Sequence, residues 1–306
     1  MSEKIGTERE AGGHVPISSW MKLANLIAVA APFAGLIGAL VFLWGWGFSW
    51  VDFGLLVGLY ILTAFGVTIG YHRLFTHRAF KTSRVVQAIF AVLGGMAAQG
   101  PLTKWVAVHR RHHRFSDESE DPHSPNAGRH GLLGMLAGLW HAHMGWLFKP
   151  ESADLDRYAN DIRQSKLLSR ISGLFLLWLV LGLALPAMLG GILTQSWLGA
   201  LLGFLWGGLV RIFLVHHVTW SVNSVCHLWG RQPYAGIDES RNNLIFGILA
   251  MGEGWHNNHH AFPTSARHGL RWWQIDFSYC VIRLLAWCRL AWDVKTPRPH
   301  AAPHVS

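Results

Sequence analysis

Charge is scarce in this sequence. Asp, Glu, Lys and Arg make up 14% of its 306 residues, where a soluble domain carries about a quarter. The deficit is concentrated in long charge-free runs, which points to an integral membrane protein. Cysteine is sparse as well. Cys226, Cys280 and Cys288 cannot build a disulfide framework and none belongs to a CxxC pair, which argues against a cysteine-ligated zinc site and thioredoxin-like chemistry. Also missing are an internal repeat, a low-complexity tract and a nucleic-acid recognition motif. The basic residues behind the net charge of +9 are interleaved with Trp and Leu, so nucleic acid is not an expected partner. Residues 1–22 include Glu3, Glu8 and Glu10, and no small-residue cleavage site follows the apolar run, which argues against a cleaved signal peptide.

What is present is membrane-compatible. Residues 23–51 are charge-free, and after Asp52 so are residues 53–71. A spanning helix takes roughly 20 apolar residues, so two spans, 23–44 and 53–71, are joined by a tight turn at Gly45-Trp46-Gly47. Residues 171–210 are also charge-free. They are too long for one span and break near Gly190-Gly191 and Thr194-Gln195-Ser196, giving spans at 171–191 and 197–217. Neither turn carries Lys or Arg. The amino-terminal tail, the block 72–170 and the carboxy-terminal part hold nearly all the positive charge, which places them in the cytosol. Residues 85–98 suit an interfacial or buried helix. Residues 272–292, with Arg271, Arg283 and Arg289 among Trp and Leu, suit an amphipathic helix lying on the bilayer. The segment 117–128 (DESEDPHSPNAG) is a loop rich in breakers.

Nineteen histidines are a large excess, and their spacing is informative. They cluster as His72-Arg-Leu-Phe-Thr-His77, His109-Arg-Arg-His112-His113 and His256-Asn-Asn-His259-His260, with His227 in Asn223-Ser-Val-Cys-His227. On a helix, positions i, i+3 and i+4 fall within about 100° of one another, so each HxxHH box turns its imidazoles to one side. His72 and His77 diverge by roughly 140° on a regular helix and need a helix end between them or separate roles. Crowded imidazoles repel when protonated and are stabilised when neutral and bound to metal. Nine exceed what one ion uses, so two metals share them. Imidazole suits Zn, Cu, Fe and Ni alike. The expected fold class is therefore an all-α integral membrane protein: four transmembrane helices in two hairpins, with a cytosolic helical cap carrying a histidine-rich di-metal site. A single domain, 23–295, comprises the spans and the cap (72–170 and 218–295). A cytosolic tail (1–22) precedes it and a disordered tail (296–306) follows.

The order of HRLFTH, HRRHH and HNNHH, with VNSVCHLWG before the third box, resembles the membrane-bound fatty-acid desaturases. The stearoyl-CoA (Δ9) branch, in its compact bacterial form without a fused cytochrome b5 domain, is the nearest pattern. The resemblance covers 72–270 and the four-span layout. It implies two iron ions held by His72, His77, His109, His112, His113, His227, His256, His259 and His260, with Asn223 reaching the centre through water. It further implies an acyl chain in a kinked tunnel, O2 as co-substrate, and one cis double bond introduced. Trp220 falls where the family places an aromatic near the substrate. Electrons would come from a separate cytochrome b5 or ferredoxin with its reductase. The substrate would be a fatty acyl chain on CoA, acyl carrier protein or lipid, and the enzyme would sit in a bacterial inner membrane in contact with membrane lipid.

The chemistry agrees with that ligand set. A mid-chain methylene is neither acidic nor electrophilic, so a redox cofactor must carry the demanding step. Zinc has no redox chemistry, whereas two irons can share the electrons that reduce O2. Carboxylates that orient the rings from behind are expected among Glu118, Asp121, Asp238 and Glu253. Arg110, Arg111, Arg114, Lys149 and Arg157 are candidate landing sites for an anionic acyl carrier, or for anionic lipid. His141 and His143 read as helix packing. His216 and His217 fall outside the boxes, Arg211 within its span snorkels or lines the cavity, and His123 and His268 read as surface loop residues. A membrane di-iron hydroxylase or alkane monooxygenase would share the metal chemistry. A metal transporter would place its ligands near mid-bilayer on broken helices, whereas these boxes lie at or beyond the span ends.

Overall fold

The structure, a computed structural model, describes residues 17–43, 47–126, 131–150 and 154–297. Most of both expected tails, and the centre of the Gly45-Trp46-Gly47 turn, lie outside the described residues.

The first hairpin comprises α1 (Ser19–Leu43) and α2 (Trp50–Phe65). Asp52, 2% exposed at the start of an apolar helix, is accounted for by a capping box. Its carboxylate accepts from the Ser49 N–H at 2.9 Å and the Ser49 hydroxyl at 2.7 Å, and Ser49 Oγ accepts from the Asp52 N–H. That arrangement satisfies N–H groups a helix start leaves orphaned. α2 continues without a break into a π-helix, Gly66–Thr76. This widened turn packs tightly against α3 (Arg84–Met96): a Cβ on Gly66 would lie 2.3 Å from the Gly94 backbone nitrogen, so only glycine fits.

α4 (Leu102–Arg114) and α5 (Gly131–His143) follow, then the short helices α6 (Leu155–Tyr158), α7 (Asn160–Gln164) and α8 (Lys166–Gly173). The second hairpin is α9 (Phe175–Thr194) and a long helix made of α10 (Trp197–Gly203), a π-helix (Phe204–Val210) and α11 (Arg211–Ser224). α12 (Leu244–Leu249), α13 (His256–Ala261) and α14 (Phe277–Trp287) complete the cap. Its only described strands, β1 (Lys81–Thr82) and β2 (Ala291–Trp292), pair antiparallel.

Among the described residues four helices are long and apolar enough to cross a membrane: Ser19–Val41, Trp50–Thr76, Phe175–Thr194 and Trp197–His227. α9 is apolar all round and leaves Leu176, Val180 and Ile192 exposed, as a lipid-facing helix should. The fourth helix runs about ten residues past the expected end at 217 and carries His227 at its tip. Residues 272–292 are not one helix: α14 occupies 277–287, capped by Asp276, and the chain then enters β2. α14 is two-faced as expected, with Ile282 buried and Leu284 and Trp287 exposed.

Arg211 neither snorkels nor lines the cavity. Fully buried, it donates to the carbonyls of Gly207, Met96 and Gly182 at 3.0, 2.7 and 2.8 Å, tying the fourth span to α9 and to the end of α3. The cap has its own apolar core, in which Tyr71, Phe75, Phe80, Phe90, Val106 and Ile282 join the first π-helix, α3, α4 and α14.

Candidate metal centre

Each histidine reaches the centre for a local reason. The first π-helix brings His72 and His77 together. His77 caps its end, its N–H bonded to the His72 carbonyl five residues back at 3.1 Å, and the two ring centroids are 4.8 Å apart. The i→i+5 geometry of a π-turn thus removes the divergence a regular helix would impose. α4 presents His109, His112 and His113, the end of the fourth span presents His227, and α13 presents His256, His259 and His260.

The nine rings form two adjacent groups. Cluster 1 is His72, His77, His109, His113 and His259; cluster 2 is His112, His227, His256 and His260. Within each, one nitrogen per residue lies within 4.8 Å of all the others. Each HxxHH box therefore serves both groups. Its i and i+4 residues share one cluster and its i+3 residue belongs to the other, so His109 and His113 part from His112, and His256 and His260 from His259. The clusters adjoin, with His113 and His260 ring centroids 4.4 Å apart.

Carboxylates stand behind four rings. His112 Nδ1 donates to Asp121 at 2.9 Å, His227 Nδ1 to Asp117 at 2.8 Å and His260 Nδ1 to Asp238, and His72 Nδ1 lies 2.7 Å from Glu253 Oε2. With the proton fixed on Nδ1, each of these rings turns an Nε2 lone pair inward. His72 Nε2 lies 3.1 Å from His259 Nε2, and His227 Nε2 lies 3.1 Å from His256 Nε2. His77, His112 and His260 each bury an Nε2 that has no hydrogen-bond partner. Such convergence of buried acceptors is costly unless a cation lies between them. The donors fit a transition metal of the imidazole-binding group, Fe, Zn, Cu or Ni.

The electrostatics agree. Burial, and then the neighbouring imidazoles, push His77, His109, His113, His256 and His259 well below the usual histidine range. Burial also lowers His260, to about 4, although Asp238 opposes the shift. Burial works against ionisation of Asp117, Asp121, Asp238 and Glu253, but their histidine partners win and hold all four below the usual carboxylate range. These six rings are thus neutral, and the four carboxylates charged, near neutrality, which is the state metal binding needs.

An apolar cavity of about 520 Å³ adjoins the centre. His72, His109 and His256 reach its wall, as do Asn223, Glu253 and Trp220. Trp105 also lines it and stacks on His109, ring centroids 4.9 Å apart. Trp220 is 5% exposed and packs on His216, whose Nε2 meets the Ala98 carbonyl at 2.9 Å. His143 packs α5 on α11 through His217 at 2.9 Å, and His141 lies on the same helix.

The basic candidates scatter. Arg110 bridges Asp161 and the carbonyls of Phe75, Thr76 and Tyr158, so its guanidinium is engaged within the cap. Arg111 donates to the Glu120 carbonyl at 3.1 Å. Arg114 is exposed over Phe115, Arg157 is exposed over Tyr158, and Lys149 is exposed beyond α5.

Sequence reasoning missed several residues. Glu118 is exposed, while its neighbour Asp117 meets His227; the acidic loop signalled a carboxylate but not which one. His123 and His268 are not surface residues, being 3% and 1% exposed. His268 Nδ1 lies 3.2 Å from Glu253, and the His123 ring lies 4.5 Å from that of His112. Sequence spacing gives no signal of either contact. Lys104 also lines the cavity.

Comparison with known proteins bears on what such a site does. The profile of the fatty acid desaturase family matches residues 48–279. The chain is 49% identical over 268 residues to a hex-5-enoyl-[acyl-carrier protein] acetylenase of Moorena producens, an alignment covering 87% of this chain and 84% of that one. It is 40% identical over 254 residues to an sn-1 stearoyl-lipid 9-desaturase of Synechocystis sp., covering 82% and 74%. With an sn-1 stearoyl-lipid 9-desaturase of Anabaena variabilis it shares 39% over 268 residues, covering 86% and 91%. Box order, paired histidine clusters, apolar cavity and these alignments converge on one conclusion: the chain belongs to the fatty acid desaturase family.

Proposed function

We propose that this protein is an O2-dependent acyl desaturase that introduces one cis double bond at Δ9 of a saturated chain of about sixteen to eighteen carbons. The observation that carries the reading is the pair of histidine clusters opening onto an apolar cavity, with His72, His109 and His256 at their junction. Its volume falls within the range of about 300–1,000 Å³ typical of ligand pockets, and its walls suit an alkyl chain. Two iron ions held by the nine histidines, with Asn223 contributing through water, would supply the oxidising power that a methylene pair demands. The balance is simple: two hydrogens leave the chain, two electrons arrive from a donor and two protons from the medium, and O2 leaves as two waters.

The protein's part is positioning and exclusion. Asp117, Asp121, Asp238 and Glu253 hold four rings in the tautomer that presents Nε2. Trp105 and Trp220 fix the alkyl chain beside the histidines and keep water from the reacting carbons. Arg111, Arg114, Lys149 and Arg157 give the carrier of the acyl chain, whether CoA, acyl carrier protein or lipid, a cationic approach. Arg110 keeps the cap beneath that approach in place. A separate cytochrome b5 or ferredoxin delivers the electrons. The loops without Lys or Arg face away from the cytosol, so the cap and its centre face inward from a bacterial inner membrane.

The acetylenase likeness favours a second reading, removal of two hydrogens from an existing double bond on an acyl carrier protein. One experiment separates the two. The chain is expressed in a host lacking its own desaturase, and the fatty acids are analysed by mass spectrometry with location of unsaturation. Monounsaturated chains with a Δ9 bond are expected. Acetylenic products would establish the second reading, and an oxygenated product without an alkene would overturn both in favour of a hydroxylase.

A further inference from the structure

The two clusters differ in the charge that stands behind their rings. In cluster 2, three of four imidazoles donate to a carboxylate: His112 to Asp121, His227 to Asp117 and His260 to Asp238. In cluster 1 a carboxylate stands behind one ring of five, with His72 Nδ1 2.7 Å from Glu253.

Their compensation differs as well. Glu253 also meets the fully buried Arg73, at 3.1 Å, and Arg73 in turn meets Asp276 at 2.9 Å. The charge behind cluster 1 is thus tied into an ion-pair chain. Apart from histidine, the three aspartates take neutral donors. Asp117 accepts from Ser124 Oγ, Asn126 Nδ2 and the Glu239 N–H; Asp121 from the Asp117 and His123 N–H groups; Asp238 from Ser116 Oγ and from Ser240. Among the described residues no arginine or lysine forms an ion pair with any of them.

A carboxylate behind a ligating imidazole raises the basicity of the ring, and losing such a partner typically lowers metal affinity about 10–100-fold. Cluster 1 offers one imidazole more, but four of its five rings lack this support. From these contacts we infer that the centre is built to load in order, with cluster 2 as the tight site that takes the first divalent cation and cluster 1 as the weaker site that takes the second. Asp117, Asp121 and Asp238 are the positioning residues that set this order. The inference rests on the reading above that both clusters hold metal.

The full-length chain, stripped of metal by a chelator in detergent micelles, would be titrated with Co2+. Anomalous diffraction at the cobalt edge would locate the first equivalent. That equivalent is expected among His112, His227, His256 and His260, with the second binding at least about tenfold more weakly. Asp117→Asn and Asp238→Asn should each narrow the difference by about 10–100-fold. Wild-type loading alone decides the matter if a variant fails to fold. First occupancy of cluster 1, or even division of one equivalent, would overturn the inference and leave the two-metal reading standing. Fewer than two equivalents bound at saturation would overturn both.

Discussion

Cluster 1 and cluster 2 draw on the same two HxxHH boxes, yet they are supported by different physics. Cluster 1 leans on a buried ion-pair chain, Glu253–Arg73–Asp276, that also binds the first π-helix to the segment around α14. Cluster 2 leans on three aspartates from loops, each satisfied by neutral hydrogen bonds, two of which (Ser116 to Asp238 and the Glu239 N–H to Asp117) tie the two loops together. Both supports are architectural, but one is compensated by a buried guanidinium and the other only by neutral donors. The difference teaches that equivalent-looking histidine boxes need not give equivalent sites.

The severest way to break the comparison is to remove a ring from each side. His112→Ala is expected to empty cluster 2 and His259→Ala cluster 1. Either change should abolish activity and at least halve the iron content while the protein still inserts, as read by elemental analysis and product assay. Full turnover in either variant would remove that residue from the ligand set.

Changing the carboxylates sharpens the contrast. Glu253→Gln leaves Arg73 short of a buried partner, a loss of about 3–5 kcal/mol when such pairs are broken, so it should lower Tm markedly as well as metal affinity. Asp238→Asn should reduce metal affinity about 10–100-fold with a smaller change in Tm. Equal Tm losses would mean that the two supports do not differ in kind.

Acid should act on both clusters in one direction. His77, His109, His113, His256, His259 and His260 have folded pKa values below the ordinary 6.5, so between the two values the unfolded chain binds more protons and stability falls as pH falls. The depressed carboxylates lose their contribution at still lower pH. Metal-free protein should therefore lose Tm steadily from about pH 6.5 to about pH 4, the folded value of His260. A flat profile there would contradict the neutral, crowded arrangement.

The smallest effect separates neighbours. Glu118→Gln should leave metal content unchanged and stability within about 0.5 kcal/mol, whereas Asp117→Asn should weaken cluster 2 about 10–100-fold. The reverse result would reassign the carboxylate behind His227.

These contrasts mark where the sequence stops being legible. The four apolar segments and the nine clustered histidines could be read directly, because hydropathy and i, i+3, i+4 spacing are local properties. The π-turn at Gly66–Thr76 could not, since an apolar run does not distinguish a π-helix from an α-helix. Nor could the division of each box, which depends on how α4 and α13 cross in space. Asp117 differs from Glu118 by one position in an acidic loop, and only the fold aims one of them at His227. Arg110 read as a landing site because it is cationic beside a box, but its partner Asp161 arrives from fifty-one residues away. His123 and His268 lie outside every box, and only tertiary packing brings His123 against His112 and His268 against Glu253.

The central claim is that nine imidazole nitrogens surround a pair of redox-active ions. Iron quantification combined with X-ray absorption at the iron edge, on purified protein of measured activity, tests it most directly. The account predicts two irons per chain in an all-nitrogen and oxygen shell dominated by imidazole scattering. Full activity in protein free of transition metal, or iron bound without imidazole, would contradict it.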